Sequence, residues 1–291
     1  MQKILVSAVL LLSAFGAAAQ QPASPPPFET RKLTDNAYLF RYQFHQALFV
    51  VTPDGVIATD PISFLRPIAA TTYIAEIRKI TQAPIKYLIY SHHHYDHASG
   101  GKPFKEAGAR IIAHRNAKAR LEALRHADTP VPDEGVGDFH VIELGGVRLE
   151  LHYTGRNHSD NSLVMLLPKD KLAFTVDFVS VDSVGFRDFP DGFFPDWFDS
   201  LDRVIALDWE RMIGGHPFPG GRFATKDDVR AQKQFMLDLN EAVRVAASQG
   251  KCWDTAMAEV KLPKYEKWAN YERGLPQNIE KFCNFWGRGY W

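Results

Sequence analysis

The chain has 291 residues, 45% of them hydrophobic, which is enough to bury one large core near the upper size of an undivided domain. Its 34 basic and 34 acidic side chains cancel, and a pI near 7.2 leaves no basic footprint of the kind nucleic-acid binding requires. The balance argues against a polyanionic partner such as nucleic acid.

Lys3, an apolar run at residues 4–15 and the small residues Ala17, Ala18 and Ala19 read as an export signal, residues 1–19. The run is shorter than the roughly 20 residues a membrane-spanning helix needs. The mature protein is therefore expected to be periplasmic or secreted, without stable membrane insertion. Residues 20–29, with four prolines and little to bury, read as a tether, and residues 30–291 as the domain. The only cysteines, Cys252 and Cys283, lie in the C-terminal part. In an oxidising compartment they either pair or remain two separate thiols; spacing alone gives no distance between them.

Alternating and β-branched runs at residues 37–42, 47–52 and 56–59, with the turn Pro53-Asp54-Gly55, predict an antiparallel meander. Ile68, Ala69, Tyr73, Ile74, Ile77 and Ile80 recur at helical spacing and predict an amphipathic helix over 64–81. A buried strand at 85–90 follows, then a short strand at 110–113, a helix at 116–124, and strands at 139–144, 147–153, 162–167 and 172–176. Beyond a loop come a helix at 197–207, a strand at 211–213, a long helix at 226–247 and a partly helical tail. Strand groups with helices outside them imply an α/β layered architecture, two sheets packed face to face and covered by helices.

The most informative string is SHHHYDHASGG, residues 91–101, directly after a buried strand. His92 and His94 stand two apart on an extended segment, so their imidazoles can converge on one ion. Asp96 and His97 then face a second position. Gly100 and Gly101 let the backbone turn away without a side chain crowding that space.

This His-x-His-x-Asp-His string resembles the signature of the metallo-β-lactamase superfamily. The resemblance implies an αββα four-layer sandwich of two mixed sheets with outer helices, and it assigns three more segments. TGRNHSDNS places His158 where the family has the last histidine of its first metal site, LAFTVDF ends on Asp177 where hydrolase-type members carry a bridging aspartate, and MIGGHPFP ends on His216, the closing histidine. It therefore implies two zinc ions per chain. His92, His94 and His158 would hold one, Asp96, His97 and His216 the other, with Asp177 and a hydroxide between them. Asp96 and Asp177 are the candidate catalytic residues, Asp96 either relaying a proton or acting as a plain ligand. Val176 stands where a glycine usually precedes the bridging aspartate, and Arg156-Asn157 where many relatives have Pro-Gly or Gly. His45, His93, His114, His126, His140 and His152 are left with structural or surface roles.

The family's β-lactamases generally carry cysteine or serine in place of Asp177. Its glyoxalase II-like thioesterases carry the aspartate but act mainly in the cytoplasm, and neutral charge opposes its RNase Z-like nucleases. The expectation is a hydrolase that cleaves an ester, lactone, lactam or related bond of a small substrate outside the cytoplasm. The alternative is an oxidoreductase like the persulfide dioxygenases, which share the motif but use one iron. The loop at 179–198 carries Phe186, Phe189, Phe193, Phe194, Trp197 and Phe198, which either wall the metals or bury the loop against its own domain. The hairpin at 43–46, with Phe44 and His45, offers a second wall.

Overall fold

The computed structural model describes residues 26–289, so the export signal and most of the tether lie outside the described residues. Phe28–Lys32 (β1), Ala37–Tyr42 (β2), His45–Thr52 (β3) and Gly55–Thr59 (β4) form the antiparallel meander. Ala69–Ile80 (α1), Ile85–Ile89 (β5), Tyr95–Ala98 (α2), Lys102–Glu106 (α3), Arg110–His114 (β6), Arg115–Leu124 (α4) and Glu134–Val136 (β7) follow. β5, β6 and β7 add in parallel to β4, completing a mixed sheet in the order β1-β2-β3-β4-β5-β6-β7.

The second sheet comprises Phe139–Leu144 (β8), Val147–Tyr153 (β9), Leu163–Leu167 (β10), Leu172–Phe174 (β11) and, after Asp196–Ala206 (α5), Arg211–Ile213 (β12). Its order is β12-β11-β10-β9-β8, antiparallel except for the β11–β12 pair. Lys226–Ser248 (α6), Asp254–Glu259 (α7) and Tyr271–Arg288 (α8) close the described chain.

Strand alternation sorts the core into three layers. Leu48 and Val50 of β3 meet Leu163, Met165 and Leu167 of β10 between the sheets. The opposite faces of those strands bury outward: Ala47 and Phe49 under α1, α3 and α4, and Val164 and Leu166 under α5, α6 and α8. This is the αββα sandwich expected. All five residues of β10 are buried, so it reads as a continuous apolar run rather than an alternating one.

Two expectations change, and the structure takes one side of an alternative left open for the cysteines. β1 begins at Phe28, inside the span read as tether: Phe28 pairs with Tyr42, and their rings stack at 6.3 Å. The first helix begins at Ala69 rather than 64. Leu65 sits at φ 57°, and the Ile62 and Ser63 N–H groups donate to the carbonyls of His97 and Ser99, both at 3.0 Å, so these residues serve the loop at the site instead of a helix. Cys252 and Cys283 are free thiols held beside each other: the Trp253 N–H donates to Cys283 Sγ at 3.1 Å, and burial pushes the Cys283 thiol up to about 12.

Candidate metal centre

All the histidine and aspartate candidates converge at one rim of the sandwich, because each follows a strand end there. His92, His94, Asp96 and His97 follow β5, His158 follows β9, Asp177 follows β11, and His216 follows β12. β4 and β5 are parallel, as are β11 and β12, so their C-terminal ends lie at the same edge of each sheet. Gly100 takes φ +95°, and a Cβ there would stand 2.4 Å from Ser63 Cβ, which is why the turn after the motif needs glycine.

Two groups of donors result. His92, His94 and His158 place one donor each within 4.8 Å of one another; His45, Asp96, His97 and His216 do the same. Between the groups stands Asp177. Its Oδ2 lies 3.0 Å from His97 Nε2, 3.6 Å from His92 Nε2 and 3.7 Å from His158 Nε2, while its Oδ1 lies 3.5 Å from His216 Nε2. His94 Nδ1 faces His158 Nε2 at 2.9 Å. Asp177 Oδ1, His92 Nε2 and His97 Nε2 are buried without a hydrogen-bond partner. Buried lone pairs left unmatched cost several kcal/mol by order of magnitude, and convergence of so many on one small space fits a cation.

The electrostatics agree. Burial, then the neighbouring His94, holds His92 well below its ordinary value and His158 at about 4, so both rings are neutral and present lone pairs. Burial opposes charge on Asp177, but His97 and His216 outweigh it and keep the carboxyl well below the usual range. Burial likewise opposes charge on His97, yet Asp177 and Asp96 raise it to about 9. A metal entering here displaces that proton.

The ligand rings are oriented from behind. Ser91 Oγ lies 2.9 Å from His92 Nδ1, His94 Nε2 lies 3.0 Å from Asp191 Oδ2, and His216 Nδ1 donates to the Phe44 carbonyl at 2.7 Å. His97 Nδ1 faces the fully buried Asp60 at 3.8 Å; burial raises that carboxyl to about 6 despite His97. His93, His94 and Asp191 form a third donor group. Because His94 turns Nδ1 to His158 and Nε2 to Asp191, that group reads as support for His94 rather than a further metal position.

Local sequence departures are absorbed. Val176 takes φ 54°, a conformation costing a β-branched residue about 1–2 kcal/mol, and the Gly215 N–H holds it by donating to the Val176 carbonyl at 2.7 Å. The strained turn aims Asp177 into the site. Asn157 is fully buried, its Nδ2 donating to Ser200 Oγ at 3.0 Å and its Oδ1 accepting from the Ser159 N–H at 3.2 Å, while Arg156 pairs with Asp196 and covers the Phe193 ring.

The aromatic loop mostly buries itself. Phe189, Phe194 and Trp197 are buried, and the first two pack on Phe282 of α8. Trp197 alone among them borders a ligand candidate, its ring 6.1 Å from His158. The loop is pinned further by Asn278 of α8, which accepts from the Gly185 N–H and donates to the Gly185 and Arg187 carbonyls. What this anchoring delivers to the centre is Asp191. Sequence reasoning missed Asp60, Asp191 and the inward placement of His45; a carboxylate directly after the buried strand at 56–59 was the one local signal, for Asp60.

Gly215 tests the packing of the centre. A Cβ there would stand 2.6 Å from both Asp177 Oδ1 and His97 Cε1. Gly215→Ala is expected to displace those side chains and lower metal content below wild type, read by elemental analysis of folded protein. Wild-type metal content would show that the two side chains have room to yield.

A family model described as the metallo-β-lactamase superfamily matches residues 44–216, more than half of the chain, and the chain belongs to that superfamily. The α subunit of 2,4-dinitroanisole O-demethylase from Nocardioides sp. (strain JS1661) is 25% identical over 194 residues, 66% of this chain and 58% of that protein. Hydroxyacylglutathione hydrolase from Maricaulis maris (strain MCS10) is 28% identical over 142 residues, 47% of this chain and 51% of that protein. The chain thus spans little more than half the length of these curated relatives. A metallo-β-lactamase from Pontibacter korlensis superposes with a TM-score of 0.61 at 16% identity, over 71% of this chain and 99% of that one. The DIM-1 metallo-β-lactamase gives 0.60 at 18%, over 72% and 96%. These two share the fold. Family and donor cluster together define a member of that superfamily with residues placed to hold metal, and α6–α8 lie beyond the matched residues.

Proposed function

We propose that this is a dinuclear zinc hydrolase cleaving an ester, lactone, lactam or related bond of a small substrate. The observation that carries the reading is Asp177, whose two carboxylate oxygens face histidines of both donor groups. His92, His94 and His158 hold the first ion, Asp96, His97 and His216 the second, and Asp177 spans both. Neutral imidazole nitrogen with hard carboxylate oxygen suits zinc. Bound zinc would supply Lewis acidity toward the scissile carbonyl and a nucleophilic water near neutral pH. Asp177, its side chain 8% exposed, would fix the separation of the two groups, whereas Asp96, at 36%, would serve either as a plain ligand or as a proton relay toward solvent. The hydroxyacylglutathione hydrolase relatives favour acyl chemistry by their name.

Metal analysis followed by a screen of ester, lactone, thioester, phosphodiester and β-lactam substrates tests this. Two zinc ions per chain and turnover of one acyl class are expected. One iron per chain with oxygen uptake on persulfides would replace the reading with the dioxygenase alternative. The proposal includes export, resting on Lys3, the run at 4–15 and Ala17 to Ala19. Mass spectrometry of native protein is expected to find Gln20 as the first residue, and a bulk population retaining Met1 would sink it. No helix among the described residues is long and apolar enough to cross a membrane.

A further inference from the structure

We infer that His45 is a further protein ligand of the second metal position, beside Asp96, His97 and His216, which makes that position the more richly ligated of the pair. The inference rests on the dinuclear reading above and adds a residue outside its seven ligands.

The spacing is the first argument. Asp96 Oδ2 lies 3.2 Å from His45 Nε2, 3.6 Å from His97 Nε2 and 3.9 Å from His216 Nε2. Four donors around zinc at its usual bond lengths of about 2.0–2.1 Å stand roughly 3.3 Å apart. The His45 ring meets the His216 ring edge-on at 4.4 Å and lies 5.3 Å from that of His97, so it occupies the remaining side of the cluster.

The second argument is that the position is built. His45 opens β3 opposite Tyr42 across a tight turn, with Gln43 at φ 53°. On one side of it the Phe44 carbonyl accepts from His216 Nδ1 at 2.7 Å. On the other, the Gln46 N–H donates to the Gly215 carbonyl at 2.6 Å and Gln46 Nε2 donates to the Gly214 carbonyl at 3.0 Å. These ties clamp the hairpin to the loop that carries His216. His45 Nδ1 is buried without a partner, and the ring's hydrogen bond runs from Nε2 to Asp96 Oδ2 at 3.2 Å, the contact a shared cation would replace.

The consequence is asymmetry. The first group has three histidines and the second, with His45, four protein donors, so that with Asp177 shared between them the second position would have one protein ligand more than the first. The second ion should then be the more tightly held.

Zinc titration against a chromophoric chelator, with elemental analysis and the absorption spectrum of the cobalt-substituted protein, tests this on wild type, His45→Ala and His45→Gln. Gln keeps a hydrogen-bond donor toward Asp96 but offers no imidazole. Wild type is expected to hold two zinc ions of unequal affinity. Both variants should weaken the tighter one by about a thousandfold or more, beyond the 10–100-fold typical of supporting residues, and should alter the cobalt spectrum. Recovery of wild-type affinity in His45→Gln makes His45 only a donor that positions Asp96 and overturns the inference. So does a folded His45→Ala with both affinities unchanged. A wild type that holds a single metal overturns the dinuclear reading itself, whatever the variants do.

Discussion

Asp177→Asn is expected to lower turnover about a hundredfold or more, equivalent to about 2.7 kcal/mol in barrier height, while the protein stays folded. The exchange keeps the shape of the side chain and removes its charge. That charge faces His97 at 3.0 Å, His216 at 3.5 Å, His92 at 3.6 Å and His158 at 3.7 Å, histidines of both donor groups. An amide would offer one donor edge to a cluster in which lone pairs have to face a cation, and it would leave two dications with one negative charge fewer between them. An aspartate that merely capped its loop would show hydrogen bonds to nearby backbone N–H groups. Asp177 Oδ1 instead has no hydrogen-bond partner. Metal stoichiometry, melting temperature and turnover measured together decide the matter. Two metals with near-normal turnover in the variant would mean that Asp177 does not span the pair.

Exhaustive chelation is expected to abolish hydrolysis and to lower Tm by roughly 10 °C or more. A ligand present at about a thousandfold its Kd stabilises the native state by about 4 kcal/mol per site, and each kcal/mol moves Tm by about 2–4 °C for a domain of this size. The residues concerned are poor company without an ion. His92, His97 and Asp177 are buried with unmatched polar atoms, and the imidazole nitrogens of His94 and His158 face each other at 2.9 Å. Metal binding resolves these contacts in the folded state and finds no such preformed cluster in the unfolded chain. Re-addition of zinc should restore both Tm and activity. A metal-free protein, confirmed by elemental analysis, with unchanged Tm and full activity would refute a metal role at this rim.

The sequence by itself carried the metal motif, because His92, His94, Asp96 and His97 lie within six residues on one turn whose geometry is local. The motif's family pattern then located His158, Asp177 and His216 at strand ends, and strand periodicity was enough to predict the layered sandwich. What tertiary structure decided is what depends on segments far apart in the chain. His45 is a single histidine at the start of a strand, and only the β2–β3 register and the clamp onto Gly214 and Gly215 turn it toward Asp96, 51 residues away. Asp191 looked like one more polar residue of an aromatic loop until packing on α8 brought that loop to His94. The aromatic residues themselves read equally well as a wall or as an anchor, since periodicity is silent about what covers a loop. Residues 64–68 fit a helix by spacing, yet the bonds from Ile62 and Ser63 to the metal-binding turn hold the chain in another path and start the helix at Ala69. In each case the local preference was weak, and hydrogen bonds or burial supplied by a distant segment outweighed it.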